Sequence, residues 1–599
     1  MKHGRILELS VVALALASTS PAQSTRRVSV SSSGQEGDLH STAPAISADG
    51  LSIAFESAAS DFAAGDTNTF LDVFCRNLST GQTEIESLAG GSTFGNLSSS
   101  HPSISADGRY VAFESGASNL VAGDTNGTTE VFVHDRVLGT TQRISISSSG
   151  VEGNSASLHA SISADGRYVA FHSIATNLAT GDTNGVADIF VRDRLNATTE
   201  RVSLSSSGAQ GDGASINPSI SGDGRYVAFQ STATNLVPGD TNGVSDIFVR
   251  DRTTGATVRA SVNNSQFQSN DLSEEASISA DGRFVAFASP ATNLIGPLAF
   301  DTNGFEDVFC RDLVNNSTGL VSLRTNGVQG NDVSRKPSIS ADGRFVAFES
   351  KATNFVSGDT NDDFDVFLRD RSANTTEGVS LVPTGVPGDK RSEAASISAD
   401  GRFVAFASYA DNLVPGDTNN NQDVFVHDRT VTGFTSLCLP AADGVVACPC
   451  ANPPGTSGRG CDNSSSTGGA FFNATGQAYL SADDLVFTTF AEKPSALSVL
   501  LQGNALVASG AVYGQGVRCV GGTLKRLFTR HASLGSITVP DFGAGDPSIS
   551  ARSAAKGDTI HPGQSRWYLV YYRDPVVLGG CPAGSTFNTT QTGQVRWMP

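Results

Sequence analysis

The chain has 599 residues, with 59 acidic against 40 basic side chains, a net charge of −19 and a pI near 4.8. A field of that sign repels phosphate backbones, so no nucleic-acid partner is expected, and cations are the more natural ligands. At roughly 150 residues per domain the length calls for two domains, a repeat array plus a further module. Abundant Gly, Ser, Thr and Asn, without long stretches of apolar residues at helical spacing, set the class as all-β.

The N-terminus carries Lys2, His3 and Arg5, then an apolar run from Val11 to Ala17, then Ser20-Pro21-Ala22. These are the three parts of a secretory signal peptide, read here as residues 1–22 with cleavage after Ala22; the run is too short to span a bilayer. The mature chain is expected to be soluble, without a membrane span, monomeric, and secreted, periplasmic or at the cell surface.

From residue 24 to about 435 the chain repeats. Asp49, Asp107, Asp165, Asp223, Asp281, Asp342 and Asp400 fall in register with a period of 58 that a three-residue insertion breaks once, in the segment Ile295–Phe300. One copy predicts strands at Pro218–Ser221, Arg225–Gln230, Asp246–Asp251 and Thr257–Val262, with an Asp223-Gly224 turn closing the first hairpin. Four antiparallel strands, the middle two almost wholly apolar, describe a blade buried on both faces, and seven blades describe a β-propeller. Such a ring must hide its last edge. Arg26–Val30 copies the fourth strand yet precedes the first copy, so it is expected to complete the last blade.

The repeat core, SADGRYVAF from Ser105 and Ser163 and SADGRFVAF from Ser279, Ser340 and Ser398, resembles the SPDGKxIAF motif of TolB-type, WD-repeat-like propellers. Copy one departs, with Leu51-Ser52 in place of Arg-Tyr. The resemblance implies the propeller fold; for function it implies a binding platform, an envelope component or a gating domain of a peptidase. Cys75 and Cys310 share one repeat position and read as buried apolar fillers, while His134 and His427 stand where other copies carry Arg and read as exposed strand residues.

Each copy places an Asp-Thr-Asn loop before its third strand, preceded by Gly in six copies and by Phe300 in the fifth, with a second acid four residues after the Asn. The sets are Asp66, Asn68 and Asp72; Asp124, Asn126 and Glu130; Asp182, Asn184 and Asp188; Asp240, Asn242 and Asp246; Asp301, Asn303 and Asp307; Asp359, Asn361 and Asp365; and Asp417, Asn419 and Asp423. Hard oxygen ligands at this spacing suit a structural Ca²⁺. They equally suit an Asx-turn that needs no metal. A feature present in every copy serves the architecture, so departures from the pattern are where function is sought.

GxSxG, HExxH, a phosphate-cradling Gly loop and a CxxC pair are missing, so no enzyme is expected; a glycosidase would need two isolated carboxylates in the channel. Residues 436–599 form a second region with Cys438, Cys448, Cys450, Cys461, Cys519 and Cys581, read as disulfides of open connectivity. Alternating segments at Ala478–Phe490, Ala496–Gln502, Val517–Thr529 and Trp567–Arg573 predict a β-sandwich-like domain. Its CPC, GRGCDNSS and Tyr571-Tyr572-Arg573-Asp574 elements resemble a C-terminal module of secreted planctomycete-type bacterial proteins. The expected function is an exported, non-catalytic binding or scaffolding propeller for a protein or glycan at the cell envelope. An extracellular hydrolase using the channel and a purely structural envelope component are the alternatives.

Overall fold

The computed structural model describes residues 24–597 except 64, 67, 69, 91–92, 296–300, 357, 383–385, 415, 430–434, 438–446, 451, 453–459, 468, 476–477, 480–481, 484, 534, 562–563, 577–585 and 591. The expected signal peptide (residues 1–22), most of the fifth-copy insertion, Cys438 and Cys581 therefore lie outside the described residues. The chain divides into two compact units, Ser24–Arg429 and Thr430–Pro599. Among the described residues the helices are one short 3₁₀ turn and Ile549–Ala555, and none is long and apolar enough to cross a membrane.

The first unit is a seven-bladed β-propeller: seven four-stranded antiparallel sheets, six in meander order and the seventh with its outer strand drawn from the N-terminus. Blade 4 consists of Ser215–Ile220, Tyr226–Ser231, Asp246–Asp251 and Ala256–Arg259. The fourth strand ends earlier than the sequence predicts because the chain then folds back on itself, Val262 bridging Gln268.

The repeat motif explains the turn between the first two strands. Asp223 Oδ1 accepts from Ser221 Oγ at 2.7 Å and from the Arg225 N–H at 2.9 Å, and Arg225 then reaches Asp251 through Nε at 3.0 Å and Nη2 at 2.7 Å. Gly224 sits at φ +73°, and a Cβ there would lie 2.2 Å from the Tyr168 ring of the preceding blade, so the turn requires glycine. Copy one, whose Leu51 replaces the Arg, also carries Asn77 in place of the Asp, so both halves of the ion pair change together.

These turns close the ring. Ala48, Ala106, Ala164, Gly222, Ala280 and Ala341 each donate a backbone N–H to the carbonyl of the corresponding residue in the next blade, at 2.9–3.1 Å, and Ala399 donates back to Ala48 at 3.0 Å. The last blade is completed as the sequence predicts, by Ser24–Arg27 pairing antiparallel with Asp423–Asp428, with the Val28 N–H continuing the ladder to the Val424 carbonyl at 2.7 Å.

Apolar clusters lie between adjacent blades rather than within one. Phe229 and Phe248 of blade 4 pack with Ile189, Val191 and Val202 of blade 3, and both sheet faces are thereby buried. Cys75 and Cys310 are buried thiols in such clusters. The same burial corrects the reading of two histidines. His134 and His427 are 6% and 2% exposed, not surface residues, because a blade has no solvent face; each accepts a fourth-strand threonine as partner, Thr141 and Thr25 at 2.9 Å.

The second unit is a β domain with a disulfide, Cys448–Cys461, and Cys450 and Cys519 are disulfide-bonded as well. A sheet built on Leu497–Gly503 and Ser565–Arg573 and a three-stranded sheet built on Phe471–Thr475 and Val486–Phe490 share one core, in which Phe487 meets Tyr568 at 4.7 Å. Two predicted segments are broken: Val517–Thr529 is two strands, Gly516–Gly521 and Lys525–His531, and Ala478–Phe490 is three short pieces.

Glu492 is fully buried here, its carboxylate accepting from Ser498 Oγ, and burial pushes its carboxyl up to about 7. The neutral acid is thus favoured in the folded state. Its stability contribution is complete below the unfolded value near 4.5 and is lost as pH rises to 7, about 3 kcal/mol in total. Both tryptophans, Trp567 and Trp597, belong to this unit, so their fluorescence follows it alone. Urea titrations by that signal should show Glu492→Gln removing the stability loss between pH 4.5 and 7; an unchanged slope would refute the assignment.

Candidate functional site

Antiparallel connectivity puts the Ser-Ala-Asp-Gly turns on one end of the ring and the Asp-Thr-Asn loops on the other. In every loop the asparagine serves the turn. Asn242, for example, accepts the Val244 N–H at Oδ1 at 3.3 Å and donates from Nδ2 to Asp246 at 2.9 Å; the same donation to the second acid occurs in all seven blades. Each asparagine Oδ1 accepts the backbone N–H two residues on, which is Asx-turn geometry in all seven loops.

What lies between the two acids differs from blade to blade. In blade 4 Arg259 Nη1 sits 3.1 Å from both Asp240 Oδ1 and Asp246 Oδ2. Arg201 stands 3.4 and 3.5 Å from Asp182 and Asp188, with Gln210 donating to both. Arg143 approaches Asp124, Glu130 and Glu152 at 3.6, 2.9 and 2.6 Å, so this cluster of three acids already contains a cation. Arg27 of the closing strand reaches Asp417 at 3.0 Å and Asp423 at 3.6 Å. Blades 1, 5 and 6 carry Ile85, Leu320 and Gly378 at the same fourth-strand position. Among the described residues no ion pair reaches Asp66, Asp72, Asp301, Asp307, Asp359 or Asp365. Burial pushes the carboxyls of Asp307 and Asp365 up to about 7 and that of Asp72 to about 6.

The other concentration of chemistry is the inner ring, where the sequence reading named no residue. The first strand of each blade carries a bulge at a residue held at φ +48° to +58°: Ala43, His101, His159, Asn217, Glu275, Lys336 and Ala394. For a non-glycine residue this conformation costs about 1–2 kcal/mol. It is offset by pairing the freed N–H with the neighbouring blade, as His101 N to Glu56 at 2.8 Å, His159 N to Glu114 at 2.7 Å and Ala394 N to Glu349 at 3.0 Å. The backbone repeats here, but the side chains do not.

On one side of the ring His101, His159 and His172 stack with centroids 4.8 and 5.2 Å apart, and His101 Nδ1 lies 2.9 Å from Glu114. The pair with Glu114 raises His101, whereas burial and His159 push His172 down to about 4. On the other side, fully buried Glu349 receives Arg335 at 2.8 Å and Lys336 at 3.4 Å. Burial, then Glu275 and Glu274, push Glu306 up to about 7. Arg335 and Arg391 lie 4.3 and 5.0 Å over the Phe364 ring. The result is a polar annulus with histidine, acidic and basic sectors. Its signal in the sequence is a column of the repeat, three residues before the conserved Ile of the first strand, in which the copies disagree.

No known family model matches the chain, and no curated protein matches it in sequence. Solved structures similar to it include the putative TolB of Agrobacterium tumefaciens, at 18% identity and a TM-score of 0.31, covering 47% of this chain and 80% of that one. The Pyrococcus horikoshii acylaminoacyl peptidase is similar at 10% identity and a TM-score of 0.38, over 62% of this chain and 49% of that one. Kuenenia stuttgartiensis hydrazine synthase is similar at 14% identity and 0.34, over 65% and 96%. Likeness at this level concerns the propeller architecture and goes no further.

Proposed function

We propose that the protein is an exported, non-catalytic propeller that binds a polar, charge-bearing segment of an envelope protein or glycan at the annulus on the Asp-Thr-Asn end. The observation that carries this reading is the bulge column: seven copies keep its backbone while its side chains run Ala, His, His, Asn, Glu, Lys, Ala. Architecture requires the conformation, so the variation is free to serve recognition. Export is supported by the disulfide-bonded cysteines, which fit an oxidising compartment.

The equivalent positions in blades 1 and 7 are alanine, so His101→Ala, His159→Ala and Lys336→Ala should fold. Glycan and peptide arrays probed with the mature chain should give a binding set that this triple variant loses by tenfold or more, at an unchanged unfolding midpoint. Undiminished binding by the variant would sink the proposal. Release of cleaved product from the array would instead assign hydrolysis, with Glu306 as the acid.

A further inference from the structure

Blades 4 and 5 present the same pair of loop aspartates in different company. In blade 4 the guanidinium of Arg259 bridges them at 3.1 Å. In blade 5 the fourth-strand residue opposite Phe309 is Leu320, and among the described residues no ion pair reaches Asp301 or Asp307. Asp301 is 5% exposed, and its Oδ2 is buried without a hydrogen-bond partner; Asp307 is fully buried. Blade 6 repeats the situation with Gly378: Asp359 Oδ1 is buried and unpartnered, and Asp365 is 1% exposed. A buried acceptor left unpaired is costly, and two buried carboxylates side by side are more so. Four sister loops hold a positive group at this place, which shows what the cradle is shaped to receive.

We propose that blades 5 and 6 each bind a hard divalent cation, Ca²⁺, between the loop aspartates Asp301 and Asp307, and Asp359 and Asp365, at the position that an arginine fills in blades 2, 3, 4 and 7. The donors are all oxygen, which suits Ca²⁺ and not the softer metals, and two carboxylates with water and backbone carbonyls complete its shell. Asn303 and Asn361 stay in the turn, donating to Asp307 and Asp365 at 2.8 and 3.0 Å. The cation is structural: it replaces a cross-strand ion pair that these two blades lack, and the inner annulus functions independently of it.

Thermal unfolding of the full mature chain, by circular dichroism in EDTA and in millimolar Ca²⁺, tests this directly. A cation bound only to the folded state should raise the midpoint by roughly 3–5 °C. The double variant Asp301→Asn, Asp359→Asn removes one of the two repelling charges in each blade. It should therefore melt no lower than wild type in EDTA and gain nothing from Ca²⁺. Arg259→Leu, which copies blade 5 into blade 4, should lower the midpoint in EDTA and recover part of the loss in Ca²⁺. Equal Ca²⁺ response in wild type and the double variant, or no response in either, would overturn the proposal.

Discussion

A chain truncated to begin after Ser31 should lose at least ~5 kcal/mol of propeller stability and expose an edge that drives association. Three contributions add. Val28 is fully buried between the last and first blades, and its burial alone stabilises by about 1.5–3 kcal/mol. Ser29 Oγ donates to Asp423 at 2.5 Å and accepts the Val424 N–H at 3.0 Å, inside the blade. Arg27 is the cation for Asp417 and Asp423, and removing one partner of a buried pair costs about 3–5 kcal/mol because the other charge stays behind. Loss of Ser24–Arg27 also leaves Asp423–Asp428 as an unpaired edge strand, a template for another chain. Urea unfolding followed by circular dichroism, with light scattering for association, is the measurement. A truncated chain within ~1 kcal/mol of wild type and still monomeric would show that the ring does not depend on its closing strand.

The second large effect is expected from a phenylalanine pair that every blade repeats. Phe229 and Phe248 face each other across the second and third strands of blade 4, ring centroids 6.1 Å apart and both fully buried. Phe229→Ala deletes a ring from a cluster shared with blade 3, where neither sheet can collapse without disturbing its own ladder. A cost of about 3–5 kcal/mol follows. Because the cluster couples two blades, calorimetry should still show the propeller melting in one step. Phe267, 67% exposed, is the control, and Phe267→Ala should cost less than ~0.5 kcal/mol. Equal costs for the two would contradict the interblade core.

Much of this protein is written in its repeat. The period fixes seven copies, Asp-Gly marks the first turn, and Arg26–Val30 announces the closing strand, because each depends on local backbone chemistry that successive copies display side by side. The error over His134 and His427 has a physical cause. Outside a propeller a polar residue in a strand usually points to water, whereas here both faces of every blade are covered by neighbours.

The loops show the same division more sharply. Sequence alone supplied the paired acids and the Asx-turn, since both are matters of spacing within eight residues. It also contained the column Ile85, Arg143, Arg201, Arg259, Leu320, Gly378 and Arg27, but gave no reason to connect it with the loops. That connection arises from the fourth strand's register, which sets Arg259 opposite Phe248 and brings its guanidinium back over Asp240. The bulge column likewise becomes an annulus only when seven first strands are gathered around one axis. Periodicity and turn chemistry are properties of neighbouring residues and can be read along the chain. Charge compensation and recognition depend on residues brought together by pairing and ring closure, and only the tertiary structure decides which ones meet.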